Sequence, residues 1–413
     1  VPDRLKLQVW TPLPPQRSGV ADHNMLLLPA LAELADVSVV VDDDDVVEAP
    51  EGVALVRRSE AQGGPADLAI YHMGNHHGIH RGIHDALVAR PGLAVLHDPS
   101  LADFYGAYHE KTPGGFEAEI ALNHGRLDAG PPRVRAGTEW QLDRLALQLA
   151  RRVVEASLAT VVHSPWARDV LTRQFPHEAI HHIDLAAPVA DLGAGGPDMR
   201  SRAGWGHEHV VFGLLGGLWA HKRPELVVQI FAALLPLRPR ARLLIAGRLE
   251  DDGALTRMRA AIAGAGVEDV VHVVTDVDDA AFTACVAACD VIVDLRWPSA
   301  GETSATVMRA FGAGRPAIVS DLPQYQALDA TFCWRVPTDA PAAAGAALEV
   351  MLAVSRDPGR ARRAGRLARR FVEESASLER VARRYDEVAR QVVEQASRSA
   401  RVTADRRPPS QPG

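Results

Sequence analysis

Cysteine is scarce in this chain, and like charges are never gathered into blocks. The 413 residues hold three cysteines, Cys285, Cys289 and Cys333. Their odd count and spacing match neither a zinc ribbon nor a redox pair, so buried thiols in a reducing compartment are expected. Lys and Arg number 45 against 52 Asp and Glu, for a formal charge of −7. Without a run of one sign this excludes a nucleic-acid footprint and points to a small or neutral partner. No apolar stretch is long enough to span a bilayer, and VPDRLKLQVW runs directly into a strand without a charged leader, so a cytoplasmic enzyme is expected. Several motifs are missing too. No G-x-G-x-x-G follows the first strand, no G-x-x-x-x-G-K-[ST] or G-x-S-x-G occurs, and AGAG at 263–266 precedes a strand. Hydride transfer, ATP hydrolysis and serine hydrolysis thereby lose their usual signatures.

What is present is an ordinary globular composition, 47% apolar and 23% charged, in a chain too long for one core, so two domains are expected. The first half alternates β-branched runs with helical patterns: LKLQVW, a helix from about residue 22, DVSVVVDD, ADLAIYHM, GLAVLHD, then a long helical pattern TEWQLDRLALQLARRVVEASL before ATVVHS. Runs that are apolar throughout and separated by helices suit a parallel sheet covered on both faces. Periodicity lapses over about 188–208, the best linker candidate. It restarts with VVFGLLG, RPELVVQIFAALLPL, ARLLIAG, VVHVVT, AAFTACVAAC, DVIVDLRW and PAIVSD. The fold class expected is α/β, with two Rossmann-like doubly wound parallel sheets and ligands at the carboxyl ends of the strands.

Chemistry gathers where strands hand over to helices. DLRWPSAGE places Glu302, Thr303 and Ser304 at a helix start, where backbone N–H groups and the helix dipole favour an anion. Capping alone also explains such residues. FGLLGGLWAHKRPE offers Gly213, Gly216 and Gly217 for close backbone approach, then Lys222 and Arg223. Two cations at a helix start are unfavourable unless an anion binds there. TPLPPQRSGVADHN carries Gly19 immediately before a helix, and GLAVLHDPS ends a strand at His97 and Asp98. A strand-end histidine faces the crevice and can hydrogen-bond a reacting group. The cluster His72, His76, His77, His80 and His84 lacks a cysteine or carboxylate to complete a zinc set, and reads as a polar loop and a solvated helix face.

Together these residues resemble retaining glycosyltransferases of the GT-B fold, in particular glycosyltransferase family 4. The likeness runs from Gly19 through VLHD and VVHS to AHKRPE, LLIAG and PSAGETSATVMRAFGAGRPAIVSD. It implies two domains facing a central cleft: 1–190 on the acceptor side and 205–378 binding a nucleotide-diphosphate sugar. A helix over 379–398 would pack back toward the first domain, and 399–413 would be a disordered tail. It also implies that Lys222 binds the donor diphosphate, that Glu302 and His97 contact the donor sugar, and that the Gly19 backbone lies close to the phosphates. Gly217, Arg223, Thr303 and Ser304 complete the expected donor contacts, with no metal or cofactor called for. The family's second motif glutamate is absent: eight positions after Glu302 stands Ala310, and aligning on GAGRP puts Arg309 there. The arginine that usually precedes the lysine is Gly216 or Gly217, leaving Arg223 as a substitute.

The implied activity is transfer of the sugar to an acceptor hydroxyl with retention of configuration. The acceptor is a sugar, a lipid-linked or a small molecule, chosen by first-domain loops in which Tyr105 and Tyr108 are available for stacking. Peripheral membrane contact through the C-terminal helix stays open. The alternatives are a sugar-nucleotide epimerase or hydrolase of the same fold, and a non-catalytic binding subunit. Glu302→Ala and Lys222→Ala are each expected to abolish transfer without unfolding the protein.

Overall fold

The computed structural model describes residues 3–44, 47–61, 66–127, 130–136, 139–190, 196–249 and 252–405. The chain forms two compact units, one of Val1–Pro131, Arg144–Leu185 and Leu378–Gly413, the other of Pro132–Asp143 and Ala186–Ser377.

Strands β1 (Lys6–Trp10), β2 (Asp36–Val41), β3 (Ala54–Arg57), β4 (Leu68–Met73) and β5 (Leu93–Leu96) belong to the first unit. An antiparallel hairpin of β6 (Arg133–Ala136) and β7 (Glu139–Leu142) belongs to the second, and β8 (Ala159–Val162) and β9 (Ile180–His182) return to the first. The first sheet runs β3-β2-β1-β4-β5-β8-β9, with every pairing parallel. Leu7, Val9, Ile70, Leu93, Val95 and Val161 are all but fully buried, as a sheet covered on both faces requires. Each such side chain contributes about 1.5–3 kcal/mol of burial. The chain builds β1, β2 and β3 in one direction, then crosses back to place β4 on the other side of β1. That reversal opens a crevice at the carboxyl ends of β1 and β4. The helix Leu378–Asp405 packs on the helix Gly19–Ala32 within this unit. The former runs on through 399–405, part of the tail expected to be disordered, and residues 406–413 lie outside the described residues.

In the second unit, β10 (Val210–Leu215), β11 (Ala241–Gly247), β12 (Val271–Thr275), β13 (Val291–Asp294), β14 (Ala317–Ser320) and β15 (Cys333–Val336) form a parallel sheet ordered β12-β11-β10-β13-β14-β15. Here the reversal falls between β10 and β13, so the loops after these two strands converge at the crevice. Gly213 and Cys289 show how close the helix-to-sheet packing is: a Cβ on Gly213 would lie 2.4 Å from the Cys289 sulfur. All the cysteines are free and buried, as expected.

The elements missed and misread have identifiable causes. The helix expected through TEWQLDRLALQLARRVVEASL survives only as Arg151–Glu155. Its beginning pairs as β7 with β6, and Leu147, Leu149 and Ala150 are buried without being helical; tertiary burial outweighs local propensity there. The linker candidate contains a helix, Gly196–Arg202, held to the second unit by Arg200, which donates to Ala288 O and Asp290. His80 and His84 are not on a solvated face. The helix His77–Ala89 turns them inward with Ile83 and Leu87, and His84 packs against Phe104, Tyr105 and Tyr108. Tyr105, expected to be available for stacking on an acceptor, is fully buried against His84 Nε2; Tyr108 stays partly exposed.

Candidate functional site

The loop after β10 begins at Gly216, whose φ of +96° suits glycine. A side chain there would also have no room. Its Cβ would lie 2.4 Å from Thr306 Oγ1 and 2.8 Å from Lys222 Nζ. The short 3-10 turn Ala220–Lys222 then carries Lys222 inward, where it is 4% exposed and donates to Leu215 O at 2.8 Å. An ammonium has three protons, and Leu215 O is its sole hydrogen-bond partner among the described residues. Burial pushes the Lys222 pKa down to about 8, against the opposing pull of Asp294. Arg223 follows with φ +54°, at the start of the helix Pro224–Leu234, and its Nη1 is buried without a hydrogen-bond partner among the described residues.

The loop after β13 meets this one: Trp297 N donates to His221 O at 2.7 Å. Its centre is Arg296, a buried guanidinium that sequence reasoning missed. Nη2 donates to Asp294 Oδ2 at 2.8 Å and to Ser304 Oγ at 2.7 Å, and Nη1 donates to Glu302 Oε1 at 2.6 Å. The other oxygen of Glu302 accepts from Ser299 Oγ at 2.9 Å and Ala300 N at 2.8 Å. Its own backbone N–H also bonds the carboxylate, so Glu302 is held at several of its about four acceptor sites. Burial raises the Glu302 pKa, but the charges of Arg296 and His221 outweigh it and the net shift is downward. Asp294 is likewise held well below the carboxylate range, because Arg296 and Lys222 overcome its burial. The signal for Arg296 was its place two residues past a strand-end aspartate and six before Glu302, in a stretch otherwise apolar.

Ser304 caps the helix Ala305–Gly312, its Oγ accepting from Val307 N at 3.4 Å and donating to Asp294 Oδ2 at 2.8 Å. The capping role foreseen for it is therefore realised. Met308 N donates to Ser304 O, while the N–H groups of Ala305 and Thr306 have no intrahelical acceptor. Thr303 is half-buried at the mouth of this turn. Arg309, in the place of the family's second glutamate, points at the neighbouring helix Asp279–Ala288. It pairs with Asp279 at 2.6 Å, donates to Thr283 Oγ1 and lies over the Phe282 ring. Gly217 packs under Trp219, whose ring a Cβ would meet at 2.7 Å. The structure thus gathers Gly216, Lys222, Arg296, Glu302, Ser304 and Thr306 at the β10/β13 crevice.

In the first unit, Ser18 caps the helix Gly19–Ala32 by accepting from Val20 N. A Cβ on Gly19 would meet nothing within 4 Å, so packing within the protein does not call for glycine there. His97 directly follows β5, its N–H continuing the ladder to Met73 O. Its ring joins three others: His72 at 5.2 Å, His163 at 4.8 Å and His23 at 5.7 Å between centroids. Burial, then the neighbouring imidazoles, lowers the His97 pKa well below the usual value. Of the four, sequence reasoning gave a site role to His97 alone; His72, read there as part of a polar loop and solvated helix face, is instead buried within β4. The signal for His72 and His163 was the recurrence of histidine at the ends of IYHM, VLHD and VVHS on adjacent strands; His23 comes from the helix Gly19–Ala32. Among the described residues no group of His, Cys, Asp or Glu is arranged to hold a metal ion, and no helix is long and apolar enough to cross a membrane.

No protein-family model and no curated protein matches the chain. Solved structures do. Sucrose-phosphate synthase from Thermosynechococcus elongatus is 17% identical with a TM-score of 0.69, covering 95% of this chain and all of its own. HepE from Anabaena, in complex with UDP and glucose, is 13% identical with a TM-score of 0.64 over 94% of this chain and 100% of that one. WaaG, a glycosyltransferase involved in lipopolysaccharide biosynthesis, is 12% identical with a TM-score of 0.61 over 93% and 99%. These structural neighbours are GT-B glycosyltransferases. The chain therefore has the α/β two-domain fold that its sequence pattern called for, in the GT-B form that the resemblance implied.

Proposed function

We propose that the protein is a retaining glycosyltransferase of the family 4 type, moving a sugar from a nucleotide-diphosphate donor to an acceptor hydroxyl. The observation that carries this reading is the buried Lys222 ammonium beside the positive-φ Gly216 and the start of the helix Ala305–Gly312. Burial of an incompletely paired cation is costly, and a diphosphate offsets that cost by charge-assisted hydrogen bonds. That HepE was solved with UDP and glucose and with UDP-glucose supports a donor of this class.

In this reading Lys222, Arg223 and the first-turn amides receive the negative charge that develops on the departing diphosphate. Glu302, held by Arg296, Ser299 and Ala300 N, presents its carboxylate to a sugar hydroxyl. The acceptor hydroxyl attacks from the same face as the leaving phosphate, which takes its proton, and no protein nucleophile is assigned. Charge at the diphosphate is balanced by protein groups, so donor binding is expected to survive chelation. His97 contacts the sugar near the reacting carbon. Binding of the acceptor by first-unit loops, and of a membrane surface by the C-terminal helix, belong to the same proposal.

The test is thermal unfolding of the full chain with UDP-, GDP-, ADP- and dTDP-sugars, repeated with Lys222→Met. Selective stabilisation by one donor that weakens in the variant, followed by a glycoside product with the donor's anomeric configuration, supports the reading. Absence of a shift with every donor overturns it. Free or epimerised sugar as the product indicates the hydrolase or epimerase alternative. Arg309 favours a second reading, a binding subunit without turnover: it replaces a ribose-binding carboxylate and is committed to Asp279 and Thr283. Donor binding without product in the presence of acceptors would support that reading.

A further inference from the structure

Three neighbouring strands of the first unit carry a histidine at or just past their carboxyl ends, and the His97 ring meets those of His72 and His163. The shortest polar contact joins His72 Nδ1 to His97 Nε2 at 2.9 Å. One proton must lie between these nitrogens, and Asn24 decides which ring supplies it. The Asn24 Nδ2 group lies 3.1 Å from Val20 O, which can only accept, so this end of the amide is the NH2. The same Nδ2 lies 2.8 Å from Thr11 Oγ1 and 3.3 Å from His72 Nδ1. The two amide protons have three neighbours, the His72 nitrogen the farthest of them, and a lone pair on Nδ1 is attracted to this electropositive NH2 where a proton on Nδ1 would be repelled by it. His72 therefore carries its proton on Nε2 and accepts at Nδ1, and His97 donates from Nε2.

We infer that His72 is a positioning residue that fixes His97 as the Nε2–H tautomer, leaving the lone pair of His97 Nδ1 for the substrate. This rests on the glycosyltransferase reading for what His97 meets. A ring with only an acceptor to offer receives a hydrogen bond from a hydroxyl and repels a phosphate oxygen. It therefore selects the sugar or acceptor hydroxyl side of the reaction over the diphosphate side. The lowered pKa of His97, caused by burial and then by His163, His72 and His23, agrees with a ring that takes up no second proton near neutrality.

The tautomer is measured directly by long-range 1H–15N correlation on histidine-labelled full-length protein, assigned with His97→Gln. The expected pattern for His97 is a protonated Nε2 and an unprotonated Nδ1; a proton on Nδ1 overturns the inference. This arm needs neither donor nor turnover, so it stands apart from the functional reading, which the donor-binding experiment tests. In kinetics, His72→Leu removes the acceptor whereas His72→Asn returns one near the Nδ1 position. His72→Leu is expected to lower kcat about tenfold or more with UDP affinity unchanged, and His72→Asn to recover most of it. Equal kcat in both variants, with both folded by circular dichroism, overturns the positioning role.

Discussion

At the scale of single residues, Lys222 and Glu302 differ in what holds them, and their variants should differ accordingly. The unfolded chain keeps the Lys222 proton up to its ordinary 10.5, the folded protein only up to about 8. Between those values the unfolded state binds more protons, so stability rises with pH across that window, and below it the buried charge is a full cost. A diphosphate would stabilise the charged form and draw a proton back. UDP binding at about pH 9 is thus expected to take up protons, read as a dependence of calorimetric heat on buffer ionisation enthalpy. Lys222→Met should remove that dependence and weaken UDP binding. Wild-type heats that do not depend on buffer would count against Lys222 as the diphosphate ligand. Glu302 is bound into the Arg296 network, so Glu302→Ala is not the clean probe its sequence position suggests. It leaves a buried guanidinium half-paired, at about 3 kcal/mol or more. Glu302→Gln keeps an acceptor for Arg296 Nη1 and should cost less stability while still losing transfer; equal melting temperatures for the two variants would contradict the network's role.

At the scale of elements, two glycines at strand-to-helix turns make opposite predictions. Gly216→Ala would set a Cβ against Thr306 and Lys222 at a φ of +96°. Loss of both stability and donor binding is expected, by denaturant unfolding and UDP titration. Gly19→Ala meets open space at the start of a helix, so stability should be unchanged or raised by up to about 1 kcal/mol. If the phosphates approach the Gly19 backbone, transfer should nevertheless fall; an unaltered rate would place them elsewhere. The same turns show what the sequence could and could not tell. Strands such as VVFGLL and ARLLIAG were legible because a sheet buried on both faces writes an unbroken apolar run. The loops after β10 and β13 were legible because glycine, lysine and glutamate stand out against those runs. His72 was not, since it acts through a contact set by strand order, and spacing along the chain does not encode which strands are neighbours; Arg296 was not, although Asp294, Glu302 and Ser304 stand within eight residues of it, because spacing alone does not show that the loop folds back around the guanidinium. The described part of the helical pattern TEWQLDRLALQLARRVVEASL, 139–158, misled for a related reason: its helical periodicity is real, but pairing with β6 and burial of Leu147 and Leu149 decide its form.

At the scale of the whole molecule, the chain passes between the two units at four points, after Pro131, Asp143, Leu185 and Ser377. The units are therefore distinct in packing but not in sequence, and the last crossing carries a structural obligation. The helix from Leu378 brings Val381, Ala382, Tyr385, Val388, Ala389 and Val392 into the first unit, each no more than 3% exposed. At about 1.5–3 kcal/mol for each large apolar side chain, their removal approaches the whole stability of an ordinary domain, about 5–15 kcal/mol. Ending the chain at Ser377 should then unfold the first unit while leaving the second, whose core contains none of these residues. Circular dichroism should show a partial loss of helix beyond that of the deleted segment and a surviving cooperative transition. That transition should still rise with UDP, by about 2.7 kcal/mol at a hundredfold excess over Kd, because Lys222, Arg296 and Glu302 all lie on the second unit. A truncated chain that keeps one wild-type transition would show that the first unit does not depend on this helix. A surviving transition indifferent to UDP, where the full chain responds, would show that donor binding is not a property of the second unit alone.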